Sequence, residues 1–121
     1  MTTSELQATV RERDGVAVID LTGDLNSSAE DALNQAYAQA TGAGADAVVL
    51  NFERAEYINS TGIALIVALL AQARAKDVQV KAFGLTDHYR EIFEITRLAD
   101  FMTITDDENR ALSGAEGGND A

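Results

Sequence analysis

The side chains best placed to do chemistry are those of Asn59-Ser60-Thr61, set between Tyr57-Ile58 and Gly62-Ile63. A strand-like run, Ala47-Val48-Val49-Leu50-Asn51-Phe52, precedes this stretch, and an apolar helix-like run, Ile63 to Ala75, follows it. The stretch therefore sits where a buried strand hands over to a helix. Asn, Ser and Thr favour helix N-caps, because their short polar side chains accept hydrogen bonds from the orphan N–H groups of the first turn. Gly62 adds no side chain to obstruct an approaching partner. A hydroxyl at such a place faces the positive end of the helix dipole, where a phosphate is readily added and kept. Modification of Ser60 is thus the chemistry suggested, and plain helix capping is its alternative.

Other candidates are weaker. Asp24 and Asn26 lie in a polar stretch after the second strand, where they either line a partner surface near Ser60 or form a turn and a cap. His88 is the only histidine, lies in a polar helix start and has no evident metal or catalytic partner. Asp106-Asp107-Glu108 reads as a solvated acidic first turn favoured by the helix dipole rather than as a cation site. Asn59-Ser60-Thr61 also matches the glycosylation triplet, which matters only in a secreted chain. Nothing resembles a phosphate-cradling glycine loop, a Ser-His-Asp set or paired catalytic carboxylates. No catalytic residue, metal site or cofactor is expected.

The elements that must position these residues follow from hydrophobic spacing. Leu6, Ala8 and Val10 alternate with Gln7, Thr9 and Arg11, the period of a half-buried strand. Asp14-Gly15 is a tight-turn signal, and Val16 to Leu21 forms the second arm of a hairpin. Thr22 to Asn26 reads as a loop. Ser27 and Glu30 fit a capping box, opening a helix with Ala29, Leu33, Ala36, Tyr37 and Ala40 on one face and closed by Gly42 and Gly44. Ala47 to Phe52 is a central strand. Ser60 to about Lys76 is a helix apolar almost all round, expected to be the most buried. Val78 to Phe83 is a strand, and Thr86 or Asp87 caps a third helix running to about Arg97, with Ile92, Phe93 and Ile95 as its apolar residues. Phe101 to Ile104 is a last short strand. Thr105 and Glu108 fit another capping box, for a helix ending at Leu112. Residues 113–121 are Gly-rich and acidic, a tail with nothing to bury. The order ββαβαβαβα implies an α/β domain with a mixed sheet and right-handed parallel crossovers.

The totals agree with a single domain over residues 1–112. The chain has 121 residues and 20 acidic against 9 basic side chains, a formal charge of −11. That balance disfavours nucleic acid and anionic membrane surfaces, both of which need clustered Lys and Arg. The absence of cysteine excludes disulfides, Cys-based metal sites and thiol catalysis. The start, Met1-Thr2-Thr3-Ser4-Glu5, shows no secretory pattern, and no apolar run approaches the roughly 20 residues of a membrane span. A cytoplasmic protein without direct membrane insertion is expected.

The element order, the stretch Gly23-Asp24-Leu25-Asn26 and, above all, Tyr57 to Ile63 resemble a STAS domain. This is the fold of bacterial anti-sigma factor antagonists and of the cytoplasmic part of sulphate transporters. The stretch Ile92 to Phe101 is similar to the family's segment before its last strand, and the resemblance covers about residues 5–112. It implies that Ser60 is phosphorylated by an anti-sigma factor that is itself a serine kinase. The unmodified antagonist then binds that kinase, phosphorylation ends the binding, and a phosphatase restores it. Asp24, Asn26, Asn59, Ser60, Thr61 and Gly62 would form the partner-binding surface. Thr86 lies where some members carry a second phosphosite, though it also suits a helix cap. The family motif is Asp-Ser-Ser/Thr-Gly. Asn59 departs from it, keeping the size and capping ability of Asp without its charge. The alternative within the family is an unphosphorylated scaffold subunit of a transporter or lipid-trafficking complex. Exposed sheet edges leave room for a homodimer.

Overall fold

Alternation along the strands sends successive side chains to opposite faces of the sheet, so each apolar strand must be covered twice. A computed structural model, describing residues 5–42 and 44–117 with side chains as far as Leu112, shows how this is done. The elements are β1 (Gln7–Arg13), β2 (Val16–Leu25), α1 (Glu30–Gly42), β3 (Ala47–Ile58), α2 (Ser60–Ala75), β4 (Gln79–Phe83), α3 (Asp87–Ile95), β5 (Thr103–Thr105) and α4 (Glu108–Gly117). Short 3-10 turns lie at Ser27–Ala29 and Leu98–Asp100. The order is the expected ββαβαβαβα.

The five strands lie side by side in chain order. β1 and β2 form the antiparallel hairpin, from Arg13 opposite Val16 to Gln7 opposite Thr22, and the other neighbours are parallel. Each parallel step moves one place in the same direction. Right-handed crossovers therefore put α1, α2 and α3 on one face. There Ile19, Leu21, Val48, Leu50, Phe52, Val80 and Ala82 meet Leu33, Ala36, Ile66, Leu69 and Phe93. On the other face Val16, Val18, Val49 and Phe83 lie under Ala111 and Leu112 of α4.

Charge fixes α4 at that second face. Glu108 accepts from Arg11 at 2.7 and 3.0 Å and from Arg13 at 2.6 Å. Arg11 also donates to both oxygens of Asp20, at 2.6 and 3.0 Å, and Asn51 donates to the same carboxylate at 2.8 Å. Hydrogen bonds from Arg11 hold both Asp20 and Glu108 below the usual carboxylate range, against the opposing effect of burial. The buried Lys81 donates to the Ala111 carbonyl at 3.3 Å.

Several sequence expectations need correction. β2 does not stop at Leu21, nor β3 at Phe52. Both continue, pairing Asp24 with Tyr57 and Leu25 with Ile58 after two register shifts, one of them beside Gly23 at φ +106°. The Thr22–Asn26 loop is therefore mostly strand. Neither capping box forms. Asn26, not Ser27, caps the first helical turn, accepting from Ser28 N at 3.0 Å. Asp107, not Thr105, caps α4, accepting from Arg110 N at 2.8 Å, which leaves Glu108 to its arginines. α2 buries one side only: Gly62, Ile66, Leu69, Leu70 and Ala73 face inward while Val67 is 48% exposed. Ile95 of α3 points outward, and β5 is Thr103–Thr105 rather than Phe101–Ile104. α4 runs past Leu112 to Gly117, and the rest of the expected tail, residues 118–121, lies outside the described residues.

Candidate functional site

Because β4's last pairing is Phe83 with Asn51, and β1's pairing with β2 ends at Thr22, the ends of β2 and β3 project beyond their neighbours as a two-stranded ribbon. Its tip holds Leu25 and Ile58. The carboxyl ends of parallel strands are where helix N-termini converge and where α/β proteins place their sites. Here the 3-10 turn at Ser27, α2 at Ser60 and α3 at Asp87 all begin at that end.

Asn59 is half-buried and is the N-cap of α2. Its backbone is extended (φ −97°, ψ −177°) and its Oδ1 accepts from Gly62 N at 2.8 Å. The Asn59 carbonyl takes the next amide, that of Ile63, at 2.9 Å. The side chain thereby satisfies one of the four orphan donors of the first turn, and the Ile63 bond is the first regular one of the helix. Such a cap is worth about 1 kcal/mol, and Asp would serve equally well, because only one side-chain oxygen is used. Ser60 is then the first helical residue. It is exposed, as is Thr61, and its hydroxyl makes no hydrogen bond among the described residues. The expected capping alternative for Ser60 thus belongs to Asn59.

Gly62 has a different role from the one its sequence context suggests. It is buried, and a Cβ added to it would lie 2.1 Å from the Leu25 carbonyl oxygen and 2.8 Å from the carbonyl carbon. The missing side chain admits the end of β2 against the first turn of α2. The same Leu25 carbonyl accepts from Asn59 N at 3.2 Å.

Asp24 is only 7% exposed, yet its carboxylate has no hydrogen bond or ion pair among the described residues. It is a recessed acceptor, one residue before Leu25. Asn26 is half-buried, and its Oδ1 is engaged with Ser28 N and Ser28 Oγ, the latter at 2.7 Å. Its turn-forming role is therefore realised. Thr86 is exposed and caps α3, accepting from Tyr89 N at 3.3 Å. His88 is exposed beside Tyr89, edge to face at 5.0 Å. Asp106 pairs with Arg90 at 3.0 Å. Among the described residues no group of His, Asp or Glu is arranged to hold a metal.

Two contributors went unnoticed in the sequence. Leu25 acts through its carbonyl, which no side-chain pattern betrays. Tyr89 acts through its hydroxyl, which accepts from Ile58 N at 3.1 Å, two residues before Ser60. Its position three residues after a capping threonine, on the core side of α3, was the available signal.

A hairpin followed by parallel units in simple order, with an exposed hydroxyl at the head of α2, defines the class. The family model described as Mlab, STAS domain matches residues 8–105, and the chain belongs to the STAS domain family. Relatives at this scale bear the name of anti-sigma factor antagonists. The putative anti-sigma factor antagonist BtrV of Bordetella bronchiseptica is 26% identical over 108 residues, covering 89% of this chain and 93% of that one. An anti-sigma factor antagonist from Mycobacterium paratuberculosis superposes with a TM-score of 0.80 at 20% identity, over 92% of this chain and 94% of that one. The Bacillus cell fate determinant SpoIIAA in its phosphorylated form superposes with a TM-score of 0.67 at 21% identity, over 89% and 98%. These two solved structures establish the fold. No helix among the described residues is long and apolar enough to cross a membrane.

Proposed function

We propose that this chain is an anti-sigma factor antagonist that works by partner switching in the cytoplasm, without catalysis of its own. With Ser60 unmodified it binds an anti-sigma factor that is itself a serine kinase, and so frees the sigma factor. Phosphorylation of Ser60 ends that binding, and a phosphatase restores it. The observation that carries this reading is the free hydroxyl of Ser60, exposed at the first position of α2 while Asn59 alone performs the cap. Phosphorylating it breaks no bond of the fold. A phosphate adds about −1.5 to −2 charges, and a helix N-terminus favours negative charge by roughly 0.3–1 kcal/mol per unit. The modification therefore spares the domain and acts at the interface, through bulk, desolvation and repulsion. Asp24, Asn26 and Thr61 supply the neighbouring polar surface, and the kinship with BtrV and with a STAS protein solved in phosphorylated form supports the assignment.

Intact-mass spectrometry of protein from its native cells, with fragmentation across Tyr57 to Arg74, tests this. The expected result is one phosphate on Ser60. Uniformly unmodified Ser60, including after mixing with ATP and the cell's anti-sigma kinases, would overturn it.

A second reading is favoured by Asn59, which departs from the Asp of the family motif. Here the domain is a constitutive subunit of a transporter or lipid-trafficking complex, and Ser60 stays unmodified. Ser60→Asp and Ser60→Ala variants that retain one and the same partner would mark that case.

A further inference from the structure

We infer that Tyr89 is a positioning residue for Ser60, through which the first turn of α3 sets how the hydroxyl is presented. β3 overruns β4 by the whole stretch from Phe52 to Ile58, and among the described residues no strand pairs along that edge. α3, lying on the helical face, reaches the overhang at its two ends. At the base of the overhang Phe93 packs edge to face on Phe52, ring centroids 5.8 Å apart. At its tip the Tyr89 hydroxyl accepts the Ile58 amide.

Successive amides of an extended strand point to opposite sides. Accordingly Ile58 N–H turns to Tyr89 and Asn59 N–H turns to the Leu25 carbonyl. The residue before Ser60 is held from the β2 side and the one before that from the α3 side. Then the Asn59 side chain closes the first turn on Gly62. Of these anchors only Tyr89 belongs to an element remote in sequence that also has an exposed end. Its ring is packed on the core, and its own amide is fixed by Thr86, whose carbonyl also takes Arg90 N at 2.8 Å. Thr86, Asp87 and His88 are exposed on the same turn. A partner that grips this turn consequently moves the strand end that carries Ser60.

The functional meaning rests on the proposed phosphoswitch, but the clamp itself can be tested without a kinase. Ser60→Cys installs a unique thiol, because the chain contains no cysteine. A thiol held at a helix N-terminus titrates below the ordinary value of about 8.5 and reports that geometry through its pH–rate profile with iodoacetamide. Adding Tyr89→Phe keeps the ring and removes only the acceptor. We expect the Ile58 amide to exchange with solvent roughly fivefold faster in Tyr89→Phe, with Val48 to Leu50 unchanged. The profile of the introduced thiol should shift towards the ordinary value, with alkylation at pH 7 at least about twofold slower in the double variant. Superimposable profiles with and without Tyr89→Phe, or unchanged exchange at Ile58, would overturn the clamp even if native Ser60 proves to be phosphorylated. Absence of phosphate from native Ser60 would instead sink the switch and leave the thiol profile to decide the clamp.

Discussion

Replacing Gly62 by alanine should destabilise this domain, although it exchanges one of the poorest helix formers for the best. Propensity alone predicts a gain of about 1 kcal/mol at an interior helical position. The geometry predicts the reverse. The new methyl would stand 2.1 Å from the Leu25 carbonyl oxygen and 3.0 Å from the Leu25 Cβ, with Leu25 itself fully buried. Ordinary contact needs more than 3.4 Å, so the end of β2 or the head of α2 must shift by over 1 Å. Overpacking of this kind costs about 1–3 kcal/mol or more. The shift also strains the Asn59 N to Leu25 O bond, already 3.2 Å long, worth about another 1 kcal/mol. Net of the propensity gain, a loss of about 1–3 kcal/mol is expected. For a domain of this size that lowers Tm by roughly 4–12 °C. Thermal and urea melts of Gly62→Ala would measure it. Gly42→Ala serves as the control, because a Cβ at the end of α1 meets nothing within 4 Å. A Gly62→Ala protein as stable as the parent, or more so, would refute the close approach and with it the seating of Ser60's helix on β2.

Asn59→Ala should cost about 1 kcal/mol through loss of the cap, whereas Asn59→Asp should cost nothing measurable, since either side chain offers an oxygen to Gly62 N; urea midpoints at pH 7 distinguish them. Stability should also depend on pH through the Arg11–Asp20–Glu108 group. Both carboxylates titrate below their ordinary range when folded, so their contribution is complete above the unfolded values and fades as pH falls through the folded ones. With Arg11 39% exposed the network is worth on the order of 1 kcal/mol, lost from about pH 4.5 downward and screened by salt. Arg11→Met should flatten that part of the melt-versus-pH curve.

Most of the fold was legible because the core segments carry clean periods. Val16 to Leu21, Ala47 to Phe52 and Val78 to Phe83 are short apolar runs between turn signals, and their order admits few topologies. The site's scaffold was harder to read. Asp24 and Leu25 extend β2 through buried positions that a lone Leu between Asp and Asn does not announce, and Glu53 to Tyr57 extend β3 with mostly exposed residues, so both stretches resemble loops. Adjacent capping candidates compete within a residue of each other: Asn26 displaced Ser27, and Asp107 displaced Thr105 because Glu108 was claimed by Arg11 and Arg13 from a strand almost a hundred residues away in sequence. The Asn59-Ser60-Thr61-Gly62 set does lie together at the head of α2, but its labour divides differently from the expectation. Asn59 caps, Gly62 packs, and Ser60 and Thr61 alone face outward.

On the proposed function, that division would let a modification act as a switch without touching stability. A residue that both capped the helix and accepted phosphate would couple signalling to folding, and each phosphorylation would cost part of a margin of only some 5–15 kcal/mol. Here the cap lies one residue upstream and the close packing two residues downstream, so the hydroxyl between them is held in place by bonds that phosphate does not break. The neighbouring helix N-termini favour added negative charge at this end of the sheet. In a partner complex the same charge would have to be desolvated or set against the partner's own acids, at a cost of several kcal/mol. Under the proposed switch, the energetic difference between the two states of Ser60 would therefore reside in the interface, as reversible binding requires.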